Sequence, residues 1–253
     1  MIIDTHCHAG LRKYEPVESL LYHMDHNNVD RAVLIQYGGN SDNTYLLDCL
    51  KRFPQRLTAA MIVDPSDDGE AVRRWADAGI GGIRLTPAAR STSADPLAIW
   101  RAANDCGLVV SVHCSLDLLN GEAFRDVVDR FPDLSIVLEH LGGVKADAEP
   151  PYEAFTKALE LADHANVTMK VPGFGELCSV PLPFDPIPPL PRLALEAFGA
   201  DRLMWGSDYP PVSSREGYTN ALRVPQEYFA DLRVSQQAEI FGETAQRIWF
   251  SGE

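Results

Sequence analysis

Two histidines stand one residue apart near the start of the chain, His6 and His8 in the segment IDTHCH. In an extended strand, residues i and i+2 point to the same side, so both imidazoles can reach one ion while Cys7 points away. Neutral imidazoles and carboxylates are the usual ligands of a divalent ion such as zinc. The pair therefore indicates metal chemistry, although an H-x-H pattern alone is a weak signal.

Three further titratable side chains follow apolar segments later in the chain. His113 follows LVVSV, His140 follows SIVLE, and Asp208 lies in WGSDYP. If those segments are strands of one parallel barrel, their carboxyl ends meet at a single rim, where such folds build active sites. Four histidines and an aspartate at one rim are difficult to attribute to packing, so we predict a functional site there.

The segments that must position these residues alternate between strand and helix patterns. Eight β-branched or apolar runs predict strands at 1–6, 31–36, 57–63, 82–85, 108–113, 135–140, 167–171 and 202–206. Amphipathic segments lie between them at 17–27, 43–53, 68–78, 97–106, 123–131, 152–162 and 192–198. This alternation over 253 residues predicts an α/β fold, a (β/α)8 TIM barrel forming a single domain over 1–253. No G-x-G-x-x-G motif follows the first strand, which argues against a dinucleotide-binding fold.

Two stretches depart from the alternation. Residues 172–191 contain seven prolines, at positions 172, 181, 183, 186, 188, 189 and 191, and predict an irregular loop after strand seven. A simple insertion is one interpretation, but we favour an active-site loop because that end of a barrel carries the site. Residues 235–250 predict one or two closing helices, interrupted near Gly242.

The composition limits the partners and the compartment. A formal net charge of −14 and the absence of any basic run argue against nucleic acid and anionic membranes as partners. No apolar stretch approaches the ~18 residues of a membrane helix, and the start of the chain has no signal-peptide pattern. Five scattered cysteines without a C-x-x-C pair predict reduced thiols. We expect a cytoplasmic protein with a small-molecule substrate, and a homo-oligomer is compatible with the sequence.

These motifs together resemble the amidohydrolase superfamily. IDTHCH, the strand-end His113 and His140, and GSDYP around Asp208 are most similar to its amidohydrolase-related (amidohydrolase 2) branch of sugar lactonases, a pyrone-dicarboxylate lactonase and non-oxidative decarboxylases. The resemblance spans the whole chain. It implies that His6, His8, His113 and Asp208 surround one divalent ion, with zinc expected.

The resemblance also implies roles for residues beside the ion. His140 would sit beside the bound water, and Asp208 would accept the proton of that water while contacting the ion. His140 could hydrogen-bond either the attacking water or the developing oxyanion. Binuclear relatives carry a lysine or glutamate on strand four, whereas this chain has Arg84, so one ion is expected. Arg84 would either clamp a substrate carboxylate or carbonyl, or form a salt bridge across the barrel mouth.

Four functions remain open at this point. Hydrolysis of a small lactone, from a sugar or a dicarboxylate, is the first prediction because the chain is close to a bare barrel. A metal-dependent decarboxylase of an aromatic or unsaturated acid is the alternative and would use the same centre. A metal-dependent nuclease is disfavoured by Arg84 and by the acidic surface. A non-catalytic barrel that only binds a ligand is the remaining hypothesis, which His140→Asn would test.

Overall fold

The computed structural model describes residues 1–179 and 181–251, and its centre is a sheet of eight parallel strands in the order β1 to β8. The strands are β1 Ile3–Cys7, β2 Arg31–Ile35, β3 Leu57–Met61, β4 Gly82–Leu85, β5 Val109–Val112, β6 Ile136–Leu138, β7 Val167–Pro172 and β8 Leu203–Gly206. Each of the eight predicted strands is present. Parallel strands in sequence order require a helical crossover after each one, which the alternating pattern supplied.

The sheet closes into a barrel where β8 meets β1. The Asp208 amide donates to the His6 carbonyl at 2.8 Å, and the His8 amide donates to the Tyr209 carbonyl at 2.7 Å. Cys7 and Tyr209 form a parallel bridge beside these bonds. The TIM-barrel prediction is therefore confirmed, and the closing seam runs through residues of the predicted site.

Helices surround the barrel. In the described residues they are Val17–His26, Thr44–Arg52, Glu70–Asp77, Ala98–Asp105, Leu116–Leu119, Glu122–Arg130, Glu153–Leu159, Leu190–Phe198, Tyr218–Tyr228, Val234–Ala238 and Thr244–Trp249. Each of the seven predicted amphipathic segments overlaps one of these helices. The helix Tyr218–Tyr228 lies outside the predicted segments, and it contains Pro225. A π-helical segment, Glu239–Glu243, contains Gly242 and separates the last two helices.

The amino-terminal end of the barrel is filled by the carboxyl-terminal helix. Trp249 and Phe250 join Ile3, Val33 and other lumen-facing residues in one buried apolar cluster. A side chain at Gly82 would collide with the Trp249 ring, so strand β4 and this helix are in close contact. The lumen is consequently packed at this end, and the polar residues lie at the opposite rim.

Two other predictions concern the proline-rich region 172–191 and membrane-spanning helices. The proline-rich region begins with Pro172 as the last residue of β7, forms a short 3-10 turn at Phe174–Glu176, and leads into the helix Leu190–Phe198. No helix in the described ranges is long and apolar enough to cross a membrane.

Candidate active site

Three of the predicted ligands meet at the seam between β1 and β8. His6 lies within β1, His8 follows the end of that strand, and Asp208 lies two residues beyond β8. The Nε2 atoms of His8 and His6 lie 3.5 Å and 3.9 Å from Oδ1 of Asp208. The two imidazole rings are 5.0 Å apart. The structure thus brings together residues about 200 positions apart in the chain, because the first and last strands of the barrel are neighbours.

The donor atoms of this group suit a divalent cation. Nε2 of His6 is buried and has no hydrogen-bond partner among the described residues. Nδ1 of His8 lies 2.7 Å from the Ile35 carbonyl oxygen, which can only accept, so Nδ1 carries the proton and Nε2 keeps its lone pair. Such a backbone contact is typical of metal-ligating histidines. The Tyr14 ring stacks on His8 at 4.9 Å and further limits its rotation.

A buried polar network lies beneath this group, inside the barrel. Lys170 of β7 contacts Nδ1 of His6 at 3.2 Å and donates to Oγ of Ser111 at 2.9 Å. Ser111 in turn donates to Glu139 at 2.8 Å. Burial lowers the pKa of Lys170 to about 8 despite the nearby Glu139 carboxylate. His6 is therefore held on one edge by this network and faces Asp208 with the other.

Arg84 makes a bidentate ion pair with Glu139. Nε of Arg84 lies 3.0 Å from Oε1 and Nη2 lies 2.7 Å from Oε2, and Glu139 is only 1% exposed. Burial alone would raise the pKa of Glu139, but Arg84 and His6 outweigh it and hold that pKa well below its usual range. Of the two interpretations left open for Arg84, this contact is the salt bridge. A substrate contact from the remaining N–H groups stays a prediction.

His113 lies apart from the group formed by His6, His8 and Asp208. Its Nδ1 is 3.3 Å from Oε2 of Glu139 and 3.2 Å from Nη2 of Arg84, and its side chain is 61% exposed. Among the described residues, the sets of potential ligands whose atoms lie within 4.8 Å of one another do not include it. Its role as a fourth ligand therefore stays a prediction, although His113 lines a cavity that His8 and Asp208 also line.

His140 is presented by a left-handed turn directly after β6. His140 and Leu141 have φ values of 47° and 50°, and Gly142 and Gly143 continue the turn. A side chain at Gly143 would overlap the Cys114 carbonyl, so the turn packs tightly against the end of β5. The His140 ring lies 4.2 Å from that of His6, and burial lowers its pKa to about 4. His140 is therefore a neutral imidazole beside the predicted metal ligands.

Two carboxyl groups, whose pKa values are shifted in opposite directions, face the His140 ring. Burial acts to raise the pKa of Asp208, but the neighbouring His8 and His140 side chains and the Arg215 guanidinium lower it overall. Burial and the Asp208 charge raise the pKa of Glu176 to about 8. Nη2 of Arg215 lies 3.3 Å from an oxygen of each. Near neutral pH the site thus combines an ionised carboxylate with a protonated one, an arrangement typical of catalytic sites.

These groups surround a cavity of about 280 Å³. It is lined by His8, Tyr14, Arg84, His113, Cys114, Glu139, His140, Gly143, Lys145, Glu176, Asp208 and Pro211. A larger cavity of about 680 Å³ adjoins the loops after β1 and β2 but contains none of the histidines. The smaller cavity contains the titratable groups described above, and its volume lies close to the lower end of the range for small-molecule sites.

Three residues at the site, Tyr14, Glu139 and Glu176, were not among the predicted site residues. Glu139 directly precedes His140 at the end of a predicted strand, and this position was a usable signal. Glu176 lies in the predicted proline-rich loop, where nothing in the pattern marks one carboxylate among the prolines. Tyr14 depends on a loop with φ of 70° that brings its ring onto His8, and no sequence pattern indicates that contact.

Known proteins are similar to this chain over most of its length. The family model described as amidohydrolase matches residues 3–250. A 4-sulfomuconolactone hydrolase from Rhizobium radiobacter is 25% identical over 244 residues, covering 88% of this chain and 79% of that protein. The crystal structure of an amidohydrolase from Burkholderia multivorans with bound zinc superposes with a TM-score of 0.81 at 18% identity, covering 99% of each chain.

A second crystal structure is similar over the same length. It is that of a probable 2-pyrone-4,6-dicarboxylic acid hydrolase from Acinetobacter baumannii with citric acid bound, with a TM-score of 0.78 and 21% identity. The match covers 98% of this chain and 99% of that one. The family model covers nearly the whole barrel, including both ends of the seam that hold His6, His8 and Asp208. The chain is therefore an enzyme of the amidohydrolase family.

Proposed function

We propose that this enzyme opens the ring of a small lactone by hydrolysis at the cavity formed by His6, His8, Asp208 and His140. The observation that carries the proposal is the convergence of two imidazole Nε2 atoms on the Asp208 carboxylate, with a neutral histidine beside them. The names of two similar proteins, the sulfomuconolactone hydrolase and the pyrone-dicarboxylic acid hydrolase, support this reaction class.

One divalent cation, zinc in our proposal, would be held by His6, His8 and Asp208, with His113 as the predicted fourth ligand. Such an ion lowers the pKa of a bound water from 15.7 to about 7 and polarises a carbonyl oxygen. The buried Nε2 of His6, which has no partner in the described chain, is the structural reason for expecting the ion there.

The protein residues handle the protons of the reaction. The oxygen of the attacking water bonds to the lactone carbonyl carbon. As it does so, Asp208, which is ionised near neutral pH, accepts one proton from that water. When the bond between that carbon and the ring oxygen breaks, Asp208 returns the proton to the ring oxygen. Water is thus added across one C–O bond and a hydroxy acid results. His140 hydrogen-bonds the reacting atoms from the other side of the cavity.

The direct test combines metal analysis with a substrate panel. Purified protein is assayed for bound zinc and for acid release from sugar lactones and carboxylated lactones, before and after chelation. His6→Ala and Asp208→Asn are expected to lower turnover by about 100-fold or more with the fold retained. Asn tolerates the left-handed backbone at Asp208, where φ is 58°. The loss of turnover in Asp208→Asn would therefore reflect the missing carboxylate and not backbone strain. The exposed His26→Ala serves as a matched control.

The same panel separates this reaction from the decarboxylase alternative. Carboxylated aromatic and unsaturated acids are included, and CO₂ release is measured beside acid release. CO₂ without hydrolysis of any lactone would replace the lactonase proposal by the decarboxylase. Ligand binding that persists in His140→Asn, with no turnover of any compound by the unmodified protein, would favour a non-catalytic barrel.

A further inference from the structure

The loop after β7 places Glu176 at the rim, and a hydrogen bond to the buried Glu216 side chain fixes this loop. The Gly175 amide donates to Oε1 of Glu216 at 2.9 Å, and the Glu216 side chain is fully buried. Side chains at Gly173 or Gly175 would collide with Glu216, so this glycine-containing turn wraps closely around its carboxylate. The position of Glu176 is therefore set by packed contacts of the described residues.

One oxygen of Glu176 faces two nitrogen atoms. Nη2 of Arg215 donates to Oε1 at 3.3 Å, and Nδ1 of His140 lies 3.3 Å from the same Oε1. A guanidinium has only donors, so Oε1 is an acceptor. The positive charge of the guanidinium also disfavours a hydrogen on Oε1, so in the protonated carboxyl we expect the hydrogen on Oε2. Oε1 therefore offers a lone pair, and no hydrogen, to the imidazole.

The ring of His140 has one buried and one accessible edge. Nδ1 is buried and makes no hydrogen bond of standard geometry among the described residues, so Oε1 is the group available to satisfy it. The side chain is 13% exposed and lines the cavity. The accessible edge is consequently the Nε2 edge. A neutral imidazole carries one hydrogen, so a hydrogen on Nδ1 leaves a lone pair on Nε2.

We propose that Glu176 is a positioning residue for His140, holding the imidazole proton on Nδ1 so that the Nε2 lone pair faces the cavity. His140 then accepts a hydrogen bond from the attacking water and does not donate one to the substrate oxygen. The catalytic half of this inference rests on the proposed function, whereas the location of the imidazole proton does not.

The location of that proton is measurable without any substrate. The protonated and unprotonated nitrogens of a neutral imidazole resonate far apart in nitrogen-15 spectra of the histidine rings. We expect the Nδ1–H form for His140 in the unmodified full chain. Glu176→Gln retains a carbonyl oxygen and should keep that form, whereas Glu176→Ala should shift the signals toward the Nε2–H form. His140→Asn identifies the signals by their loss.

The kinetic prediction separates positioning from a structural role. Glu176→Ala is expected to lower kcat by about tenfold to 100-fold with little change in KM, and Glu176→Gln to recover most of that loss. Glu149→Ala, an exposed loop glutamate, is the matched control and should change neither value. Thermal unfolding of each variant verifies that the fold is kept.

Two results would overturn the inference. One is an unmodified protein with its His140 proton on Nε2; the other is a Glu176→Ala variant that retains the Nδ1–H form. If the protein hydrolyses no lactone, the proposed function fails, but the spectra still decide whether Glu176 sets the His140 proton. If the spectra agree and kcat is unchanged in Glu176→Ala, the catalytic half is wrong.

Discussion

Replacing Arg84 by methionine tests the buried ion pair at the base of the site. Glu139 is 1% exposed and receives two close contacts from Arg84, at 3.0 Å and 2.7 Å. Removing one partner of a buried pair costs about 3–5 kcal/mol, because a charge is left uncompensated. Ser111 and Lys170 still surround Glu139, so we expect the lower end, about 3 kcal/mol, corresponding to a Tm about 6–12 °C lower.

The assay is urea unfolding at neutral pH in the presence of a chelator, so that metal binding does not contribute. The double variant Arg84→Met/Glu139→Gln removes both charges and should recover at least half of the loss, about 1.5 kcal/mol or more, and Glu139→Gln alone completes the cycle that gives the coupling energy. Arg101→Met is the control, because its pair with Asp95 is about half exposed and such pairs contribute ~1 kcal/mol or less. A loss below about 1 kcal/mol for Arg84→Met, or strict additivity in the double variant, would refute the reasoning.

Three further predictions concern packing and thiol reactivity. Gly175→Ala should destabilise the protein by about 1–3 kcal/mol through overlap with buried Glu216, whereas Gly38→Ala, with open space around it, serves as the control in the same unfolding assay. Trp249→Ala should cost about 3–5 kcal/mol by emptying the end of the barrel, and a smaller loss in calorimetry would show that the lumen is not filled by this ring. Burial and the Glu216 charge raise the pKa of Cys178 to about 11, so its alkylation should remain slow at pH 8 and rise up to about pH 11; a plateau near pH 9 would contradict this.

The fold was predictable because its signals are local. Each strand is a short β-branched or apolar run, and its ends are marked by polar or turn residues, so periodicity alone located all eight. The helix Tyr218–Tyr228 was missed because Pro225 inside it reads as a break. Packing around the buried Pro225 makes proline tolerable inside this helix. A local sequence pattern carries no information on that packing.

The site was predictable only where it coincides with strand ends. His6, His8 and Asp208 lie at or just beyond the ends of β1 and β8, and the barrel topology alone brings them together. The contact of His113 with Glu139 could not be anticipated, because a strand-end position does not determine the direction of an exposed side chain. Glu176 and Tyr14 depend on the conformations of loops, which long-range packing determines.

The seam between β1 and β8 has a consequence for how the chain acquires its activity. A polypeptide that has not yet formed β8 has the two imidazoles of the H-x-H pair but lacks the Asp208 carboxylate beside them. An ion held by His6, His8 and Asp208 together would bind only the fully assembled barrel. It would link the first strand to the last. At a free-ion concentration 100 times its Kd, it would add about 2.7 kcal/mol to the unfolding free energy, so ion supply and maturation of the protein would be coupled.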